Sequence, residues 1–347
     1  MSKSSLEKAV IKRYTRGALT KETELCCPVS YDPKYLKVIP KEVLEKDYGC
    51  GDPSRYLWEG DRVLDLGCGS GKICYIASQV VGARGKVIGV DFNPEMLALA
   101  KKHQREVARR IGWDNIRFVK SRIQDLKIKS ESINVIISNC VLNLVRPEDK
   151  KKLFREMHRV LVRGGRIAIS DIVSDEEVPE KLKRDTELWS GCISGAFQED
   201  AFLRAFEEAG FYGVQIEKLD VTPWRVVQGI EFRSMTVTAY KGKEGACWER
   251  NQAVIYKGPW KQVVDDDKHV LKRGIRTAVC DKTYQIYSKA PYRNEIIWVP
   301  PQKNIPLSKA KPFDCKGAVV RDPRETKGMR YRKTTKTKSV CMDGGCC

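Results

Sequence analysis

Short apolar segments alternate with amphipathic segments over most of the first two thirds of the chain. Five apolar segments have the length and composition of buried strands: residues 62–67, 85–91, 116–119, 135–139 and 166–171. The segments between and after them end at glycines and predict helices at 73–81, 93–111, 147–165 and 199–209. Strands that alternate with helices of this length predict a mostly parallel sheet covered on both faces, the doubly wound α/β fold.

The rest of the chain has a different character. Prolines punctuate the first part, which we expect to form a helical and irregular lid. Residues 232–240 predict an edge strand of the sheet, whereas 253–256 and 277–280 predict short strands of a small C-terminal α+β domain. The end of the chain is basic and poor in apolar residues, and we expect it to be disordered. The predicted limits of the lid, main domain, small domain and tail are 1–60, 61–242, 243–300 and 301–347.

Composition and charge restrict the functions and locations that are compatible with the sequence. The chain has 347 residues and a formal net charge of +19, and residues 301–347 hold twelve Lys and Arg against four Asp and Glu. Such charge is compatible with nucleic acid binding, but a charge run of this kind is more often a solvated face or a disordered tail. No apolar run approaches the roughly 18 to 20 residues of a membrane span, and the N-terminus lacks the apolar core of a signal peptide. We therefore expect a cytoplasmic protein without a membrane partner.

A glycine turn follows the first predicted strand. The sequence Asp65-Leu-Gly67-Cys-Gly69-Ser-Gly71 lets the backbone approach a ligand closely before the next helix begins. Its spacing departs from the dinucleotide-binding pattern, which has a glycine where this chain has Lys72. The second strand ends at Asp91, an acid at the right distance to bind ribose hydroxyls.

These residues resemble those of class I S-adenosylmethionine methyltransferases. The resemblance implies that Asp65 and the three glycines hold the methionine end of S-adenosylmethionine and that Asp91 binds the ribose. It places Met96 against the adenine, with Ile123 and Gln124 beside it. The expected cofactor-binding residues are Tyr48, Asp65, Gly67, Gly69, Gly71, Asp91, Met96, Ile123, Gln124 and Asn139.

Thirteen cysteines require an explanation. The number is odd and no pair has the C-x-x-C spacing, so neither a disulfide scaffold nor a zinc finger is expected. Cys140 follows the fourth strand, at the edge of the sheet where ligands bind in this fold. Cys192 follows the fifth strand, in a segment expected to fold over the same edge, and Cys50 lies just before the first strand. A glycine precedes each of them, although any one cysteine is more often a buried apolar residue.

Three cysteine motifs, taken together, resemble those of the arsenite S-adenosylmethionine methyltransferases. They are Tyr48-Gly-Cys-Gly, Ser138-Asn-Cys-Val-Leu-Asn-Leu and Ser190-Gly-Cys-Ile-Ser-Gly-Ala. The similarity also includes Ser170-Asp-Ile-Val, Glu231-Phe-Arg-Ser and Cys247 followed by Gln252-Ala-Val-Ile-Tyr, and it covers about residues 20–295. The predicted activity is therefore transfer of a methyl group from S-adenosylmethionine to trivalent arsenic, in arsenic detoxification.

The chemistry of arsenic agrees with this prediction. Trivalent arsenic is soft, so thiolates select it over hard ions. We expect Cys50, Cys140 and Cys192 to be its ligands, which leaves the arsenic lone pair free to attack the methyl group. Since methylation formally oxidises the arsenic, the resemblance implies a redox disulfide between Cys50 and Cys26 or Cys27, with Cys26 preferred. Thioredoxin or glutathione would then reduce it.

Other functions remain compatible with the sequence. A methyltransferase of this fold could act on a small organic acceptor, and a non-catalytic thiol protein could sequester a soft metal. A nucleic acid methyltransferase is not expected, because the Pro-Pro-aromatic motif that grips a flipped base is missing after the fourth strand. The thiols of Cys341, Cys346 and Cys347 could form a mobile arsenite clamp or belong to a disordered end. We expect the protein to act as a monomer.

Overall fold

The structure is a computed structural model that describes residues 3–22, 25, 29–315 and 319–328. The chain divides into two units, Met1–Gly242 and Lys243–Cys347. Within the described residues, no helix has the length and apolar content needed to cross a membrane.

The first unit is built on a nine-stranded sheet with the order β3-β2-β1-β4-β5-β9-β7, to which β6 and β8 add at β5 and β9. The strands are β1 (Arg62–Leu66), β2 (Lys86–Asp91), β3 (Ile116–Lys120), β4 (Ile133–Asn139), β5 (Leu161–Ser174), β6 (Phe197–Gln198), β7 (Tyr212–Leu219), β8 (Arg225–Val227) and β9 (Ile230–Tyr240). The first five are parallel where they pair, whereas β9 runs antiparallel to β5, β7 and β8.

Helices surround this sheet. They are α1 (Lys3–Leu19), α2 (Pro33–Leu36), α3 (Lys41–Glu45), α4 (Lys72–Val81), α5 (Pro94–Ile111), α6 (Pro147–Val160), α7 (Glu180–Lys183), α8 (Thr186–Ser190) and α9 (Glu199–Glu208), with 3₁₀ turns at Pro53–Tyr56 and Leu142–Leu144. The cap of α5 follows the sequence closely: the Asn93 side chain accepts from the Met96 backbone N–H, and Gly112 ends the helix in the left-handed region.

Two apolar cores form because successive side chains of a strand point to opposite faces. In β4, Ile136 packs into the core beneath α6 and α9, which includes Phe154 and Phe206. Its neighbours Val135 and Ile137 pack into the core on the side of α4 and α5. The predicted doubly wound α/β fold is therefore confirmed.

The structure corrects two details of the predicted sheet. The strand at 230–240 is not an edge strand, since β9 lies between β5 and β7 and β7 occupies the edge. Most of β7 is exposed, so its apolar content gave no signal of a strand. The helix from Pro147 ends at Val160 rather than at the glycines 164–165, because β5 already begins at Leu161.

In its described residues, the second unit contains short strands, two short α-helices and 3₁₀ turns at Tyr292–Asn294 and Leu307–Lys309. The strands are β10 (Trp248–Glu249), β11 (Ala253–Tyr256), β12 (Gln262–Val264), β13 (Val270–Lys272), β14 (Arg276–Ala278), β15 (Ile296–Val299), β16 (Lys311–Pro312) and β17 (Val319–Val320), and the helices are α10 (Asp281–Tyr287) and α11 (Pro323–Lys327). A four-stranded sheet has the order β15-β11-β14-β17, and β10 pairs with β16. Elements therefore continue beyond residue 300, where the sequence predicted only a disordered tail.

Candidate active site

The glycine turn between β1 and α4 has the backbone that its sequence predicts. Gly67, Gly69 and Gly71 have φ of +70°, +51° and +85°, a region that favours glycine. A Cβ added at Gly69 would meet no atom within 4 Å, so the turn leaves open space on that side. Gly71 instead caps α4, and a Cβ there would be 3.0 Å from Ala100 Cβ and from Phe118 Cζ.

Two buried carboxylates lie at the ends of the strands beside this turn. Asp91 at the end of β2 accepts from the backbone N–H of Gly69 at 2.9 Å and of Asn93 at 2.8 Å. Asp65 in β1 accepts from the Cys74 thiol at 3.2 Å. Burial raises the pKa of both carboxyls, that of Asp65 to about 7. Both carboxyls thus lie buried beside the turn, where each offers oxygen atoms to a ligand and where a nearby positive charge would favour the ionised form.

A cavity opens between the ends of β1, β2 and β4, where the strand order reverses and ligands bind in such sheets. Its volume is about 1050 Å³, including space open to solvent. Nine of the ten predicted cofactor-binding residues line this cavity, and Gly71 is the one that does not. The nine are Tyr48, Asp65, Gly67, Gly69, Asp91, Met96, Ile123, Gln124 and Asn139.

Helix α1 closes one side of this cavity. Its side chains Glu7, Val10 and Tyr14 are among the lining residues. The Asn93 side chain donates to the Ile11 carbonyl at 3.3 Å, which ties α1 to the start of α5. The Tyr48 hydroxyl donates to Gly17 O at 3.0 Å at the end of α1. Glu7, Val10 and Tyr14 of α1 therefore form part of the site, in a segment that the sequence predicted only as a lid.

The loop that carries Cys50 is held against the end of β4 by Asn139. The Asn139 Oδ1 atom accepts from the backbone N–H of Cys50 at 2.8 Å and of Gly51 at 3.1 Å, and its Nδ2 donates to Gly51 O at 2.7 Å. A Cβ at Gly49 would overlap the Asn139 side chain, and one at Gly51 would overlap Ser170. The glycines on both sides of Cys50 are thus required by close packing.

The loop that carries Cys140 is held by Asp171, a fully buried residue of β5. One oxygen of its carboxylate accepts from the backbone N–H of Val141 at 3.1 Å and of Leu142 at 2.8 Å. Burial raises the pKa of Asp171 to about 6, although hydrogen bonds from the backbone N–H groups of Ile172 and Leu142 oppose the rise. Cys140 itself has φ of +59°, an unusual backbone region for a residue other than glycine.

Cys192 follows α8 and has the same unusual backbone, with φ of +62°. Its thiol donates to the Cys140 carbonyl at 3.2 Å and lies 4.0 Å from the Tyr14 hydroxyl. The Asn143 side chain joins this loop to the sheet, since its Nδ2 donates to Ile172 O at 2.6 Å and to Cys192 O at 3.3 Å.

The three predicted cysteine ligands therefore come together from three separate segments. Cys50, Cys140 and Cys192 are all buried in one cluster with apolar neighbours that include Ile172 and Phe232. Of the three, Cys140 also lines the cavity. Cys50 and Cys140 are joined by a disulfide, with Cα atoms 6.0 Å apart. This pairing differs from the expected redox pair of Cys50 with Cys26 or Cys27, and both of those residues lie outside the described part of the chain.

Sequence reasoning missed the residues that hold these loops in place. Asp171 was seen only as part of a matching motif, and Asn143 and Tyr14 were given no role. A signal for Asp171 was present, because an acid at the end of a predicted buried strand needs a partner. Tyr14 gave no such signal, since it is one aromatic residue in an amphipathic helix.

Comparison with known protein families identifies the class of protein to which this fold and cavity belong. A family model described as a methyltransferase domain matches residues 57–210, and one described as a domain of unknown function matches 243–331. The doubly wound sheet, the glycine turn and this match together define an S-adenosylmethionine-dependent methyltransferase.

The similar proteins identify the family more closely. An arsenite methyltransferase of Aquipseudomonas alcaligenes is 35% identical over 284 residues, which cover 76% of this chain and 82% of that protein. The human arsenite methyltransferase is 29% identical over 334 residues, or 90% of this chain and 86% of that protein. The solved structure of an arsenic(III) S-adenosylmethionine methyltransferase from Chlamydomonas reinhardtii has a TM-score of 0.61 and 26% identity, and the match covers 85% of this chain and all of that one. The chain belongs to the arsenite methyltransferase family.

Proposed function

We propose that this protein transfers the methyl group of S-adenosylmethionine to trivalent arsenic held by the thiolates of Cys50, Cys140 and Cys192. One observation carries the proposal: Cys140 lines the cavity beside the glycine turn and also adjoins the other two cysteines. An arsenic atom at these thiolates would therefore be next to the cofactor cavity.

The cavity has groups suited to each part of S-adenosylmethionine. Asp65 and the open backbone at Gly69 would hold its charged methionine end, and Asp91 would accept from the ribose hydroxyls. Met96 and Ile123 offer apolar surface to the adenine. When bound, the cofactor supplies an electrophilic methyl group.

The cysteine cluster suits trivalent arsenic in chemistry and surroundings. Arsenite condenses with three thiols, so that three As–S bonds form, three As–O bonds break and three waters leave. Thiolates favour this soft ion over magnesium or calcium. The apolar neighbours of the cluster exclude water, and the arsenic lone pair needs no general base because arsenic carries no proton to be removed. Orientation of the lone pair toward the cavity would supply most of the rate.

A thiol reductant is required at two points. The disulfide between Cys50 and Cys140 must take up two electrons before both thiolates can bind arsenic. Methyl transfer uses the arsenic lone pair, so two thiolates must afterwards return two electrons and form a disulfide that thioredoxin or glutathione reduces. We keep Cys50 with Cys26 or Cys27 as the proposed pair for this later step.

The same chemistry bears on where and how the protein acts. A reducing compartment keeps the thiols available, which supports a cytoplasmic location. One chain contains all the residues proposed for cofactor and arsenic, which supports action as a monomer.

Arsenite titration of the reduced protein tests the ligand assignment. Binding to wild type should consume the thiols of Cys50, Cys140 and Cys192, measured by the loss of free thiols at saturation. Cys140→Ser and Cys192→Ser should each weaken arsenite binding by about 100-fold or more, since two thiolates remain in place of three. Protection of each cysteine from alkylation, mapped by peptide mass spectrometry, assigns the bound arsenite to this cluster.

Cys74→Ser is the matched control, because Cys74 is equally buried but lies outside the cluster. Protection of the remaining Cys50 and Cys192 thiols at the wild-type arsenite concentration in Cys140→Ser would contradict the assignment. In Cys74→Ser, all three thiols of the cluster should be protected as in wild type.

A further inference from the structure

A second group of three cysteines lies in the C-terminal unit, in the part of the chain matched by the domain of unknown function. The Sγ atoms of Cys247, Cys280 and Cys315 all lie within 4.8 Å of one another. These residues are separated by more than 30 positions in the sequence, so no short motif revealed them. The methyl-transfer site uses none of them.

Backbone pairing brings the first and third of these cysteines together. Cys247 immediately precedes β10 and Cys315 closely follows β16, and these two strands pair antiparallel. The Phe313 backbone N–H donates to Cys247 O at 2.8 Å, which extends the pairing to the cysteines. Cys247 and Cys315 are half-buried, so solvent reaches the group from their side.

Cys280 is the third member of the group and is fully buried. It caps α10, where its Sγ accepts from the Thr283 backbone N–H at 3.4 Å. The ion pair between Arg250 and Asp281, at 2.7 Å, joins the end of β10 to the start of α10. The three sulfurs are therefore held by a strand pair and a helix terminus whose positions are fixed by hydrogen bonds.

The group offers sulfur ligands alone. Among the described residues, no histidine or carboxylate belongs to it. Structural zinc sites take four ligands, whereas trivalent arsenic takes three and keeps a lone pair at the fourth position.

We propose that Cys247, Cys280 and Cys315 form a second binding site for trivalent arsenic, distinct from the methyl-transfer site. Arsenite would bind by condensation with three thiols, with formation of three As–S bonds and release of three waters, and no oxidant or reductant takes part. The proposal rests on the proposed function only in its choice of ion, since the donor set alone selects a soft three-coordinate ion.

Counting bound arsenic in the full-length protein tests this site. Reduced wild type and the variants Cys247→Ser and Cys315→Ser are saturated with arsenite and freed of excess, and arsenic per chain is measured by mass spectrometry. Each variant should hold one arsenic fewer than wild type and should leave two more of its remaining thiols free. Thiols elsewhere in the chain are identical in all three proteins, so the differences isolate this site. The two half-buried cysteines are chosen because Cys280→Ser could disturb the core.

The controls separate this proposal from the proposed function. Cys74 is a buried cysteine outside both groups, so Cys74→Ser should bind the wild-type amount of arsenic. Cys192→Ser should lose the arsenic of the first site and keep that of the second. If Cys247→Ser and Cys315→Ser bind as much arsenic as wild type, the second site is refuted, whatever happens at Cys192. One zinc per purified chain that is lost in Cys315→Ser, with arsenic binding unchanged, would equally refute it.

Discussion

Two of the proposed arsenic ligands occupy backbone conformations that disfavour them. Cys140 and Cys192 have φ near +60°, where a side chain costs roughly 1–2 kcal/mol relative to glycine. Such strain persists only where the surroundings enforce it, and it concentrates at functional sites. Here Asp171 and Asn143 enforce it by hydrogen bonds to the same two loops.

Substitution at Cys192 tests whether the backbone conformation that positions its thiol lowers the free energy of unfolding. Cys192→Gly should be more stable than Cys192→Ala by about 1 kcal/mol, because glycine adopts this backbone without strain. The measurement is denaturant unfolding of the reduced proteins. At Cys74 in α4 the order should reverse, since glycine is worse than alanine inside a helix by about 1 kcal/mol. Equal stability of the two Cys192 variants would show that the position is unstrained.

The buried carboxylate of Asp65 predicts a pH dependence of cofactor binding. Burial raises its pKa to about 7, so the side chain is largely protonated in the free protein below that pH. A protonated carboxyl cannot pair with the charged methionine end. The affinity for S-adenosylmethionine, measured by calorimetry, should therefore rise with pH and level off above about pH 7.

Asp65→Asn is the matching variant. It should bind more weakly at pH 8 and lose most of the pH dependence, because the amide does not ionise. Parallel pH profiles for wild type and Asp65→Asn would exclude Asp65 as the titrating group.

At the scale of elements, the sequence predicted the βα units that build the cofactor cavity because their signals are local. Apolar runs mark the buried strands, and Asn93 and Gly112 mark the ends of α5. The Cys50, Cys140 and Cys192 motifs were recognised by resemblance. Their meeting point could not be derived from the sequence, since Asn139 and Asp171 join segments up to about 90 residues apart.

Helix α1 connects the cofactor cavity with the cysteine cluster. Tyr14 lines the cavity and its hydroxyl lies 4.0 Å from Cys192 Sγ. Tyr14→Ala should therefore raise KM for both S-adenosylmethionine and arsenite, by about tenfold each, a loss of about 1.4 kcal/mol. Steady-state kinetics measures both constants.

Ile11 supplies the control on the same helix, because its side chain is exposed. Ile11→Ala should leave both KM values within about twofold of wild type. If Tyr14→Ala raised neither constant, or if both variants behaved alike, α1 would be no more than a structural support.

At the scale of the whole molecule, the two units differ in how far the sequence explains them. The first unit follows regular βα alternation, so its fold and cofactor turn were predictable. The described strands of the second unit have two to four residues, and β16, β17 and α11 lie in a segment whose basic composition predicted disorder. Paired strands such as β10 and β16 are too short to be recognised from periodicity. The second cysteine group depends on that pairing, which explains why the sequence did not reveal it.

Chromatography with mass spectrometric detection of arsenic, after incubation with arsenite, S-adenosylmethionine and a thiol reductant, tests the central claim most directly. The account predicts methylated arsenic from wild type and from Cys315→Ser, and none above background from Cys140→Ser or Cys192→Ser. Both inactive variants should still bind S-adenosylmethionine, which would show that the cofactor site has folded. Methylated arsenic at the wild-type rate from Cys140→Ser, or none from wild type with bound cofactor, would contradict the account.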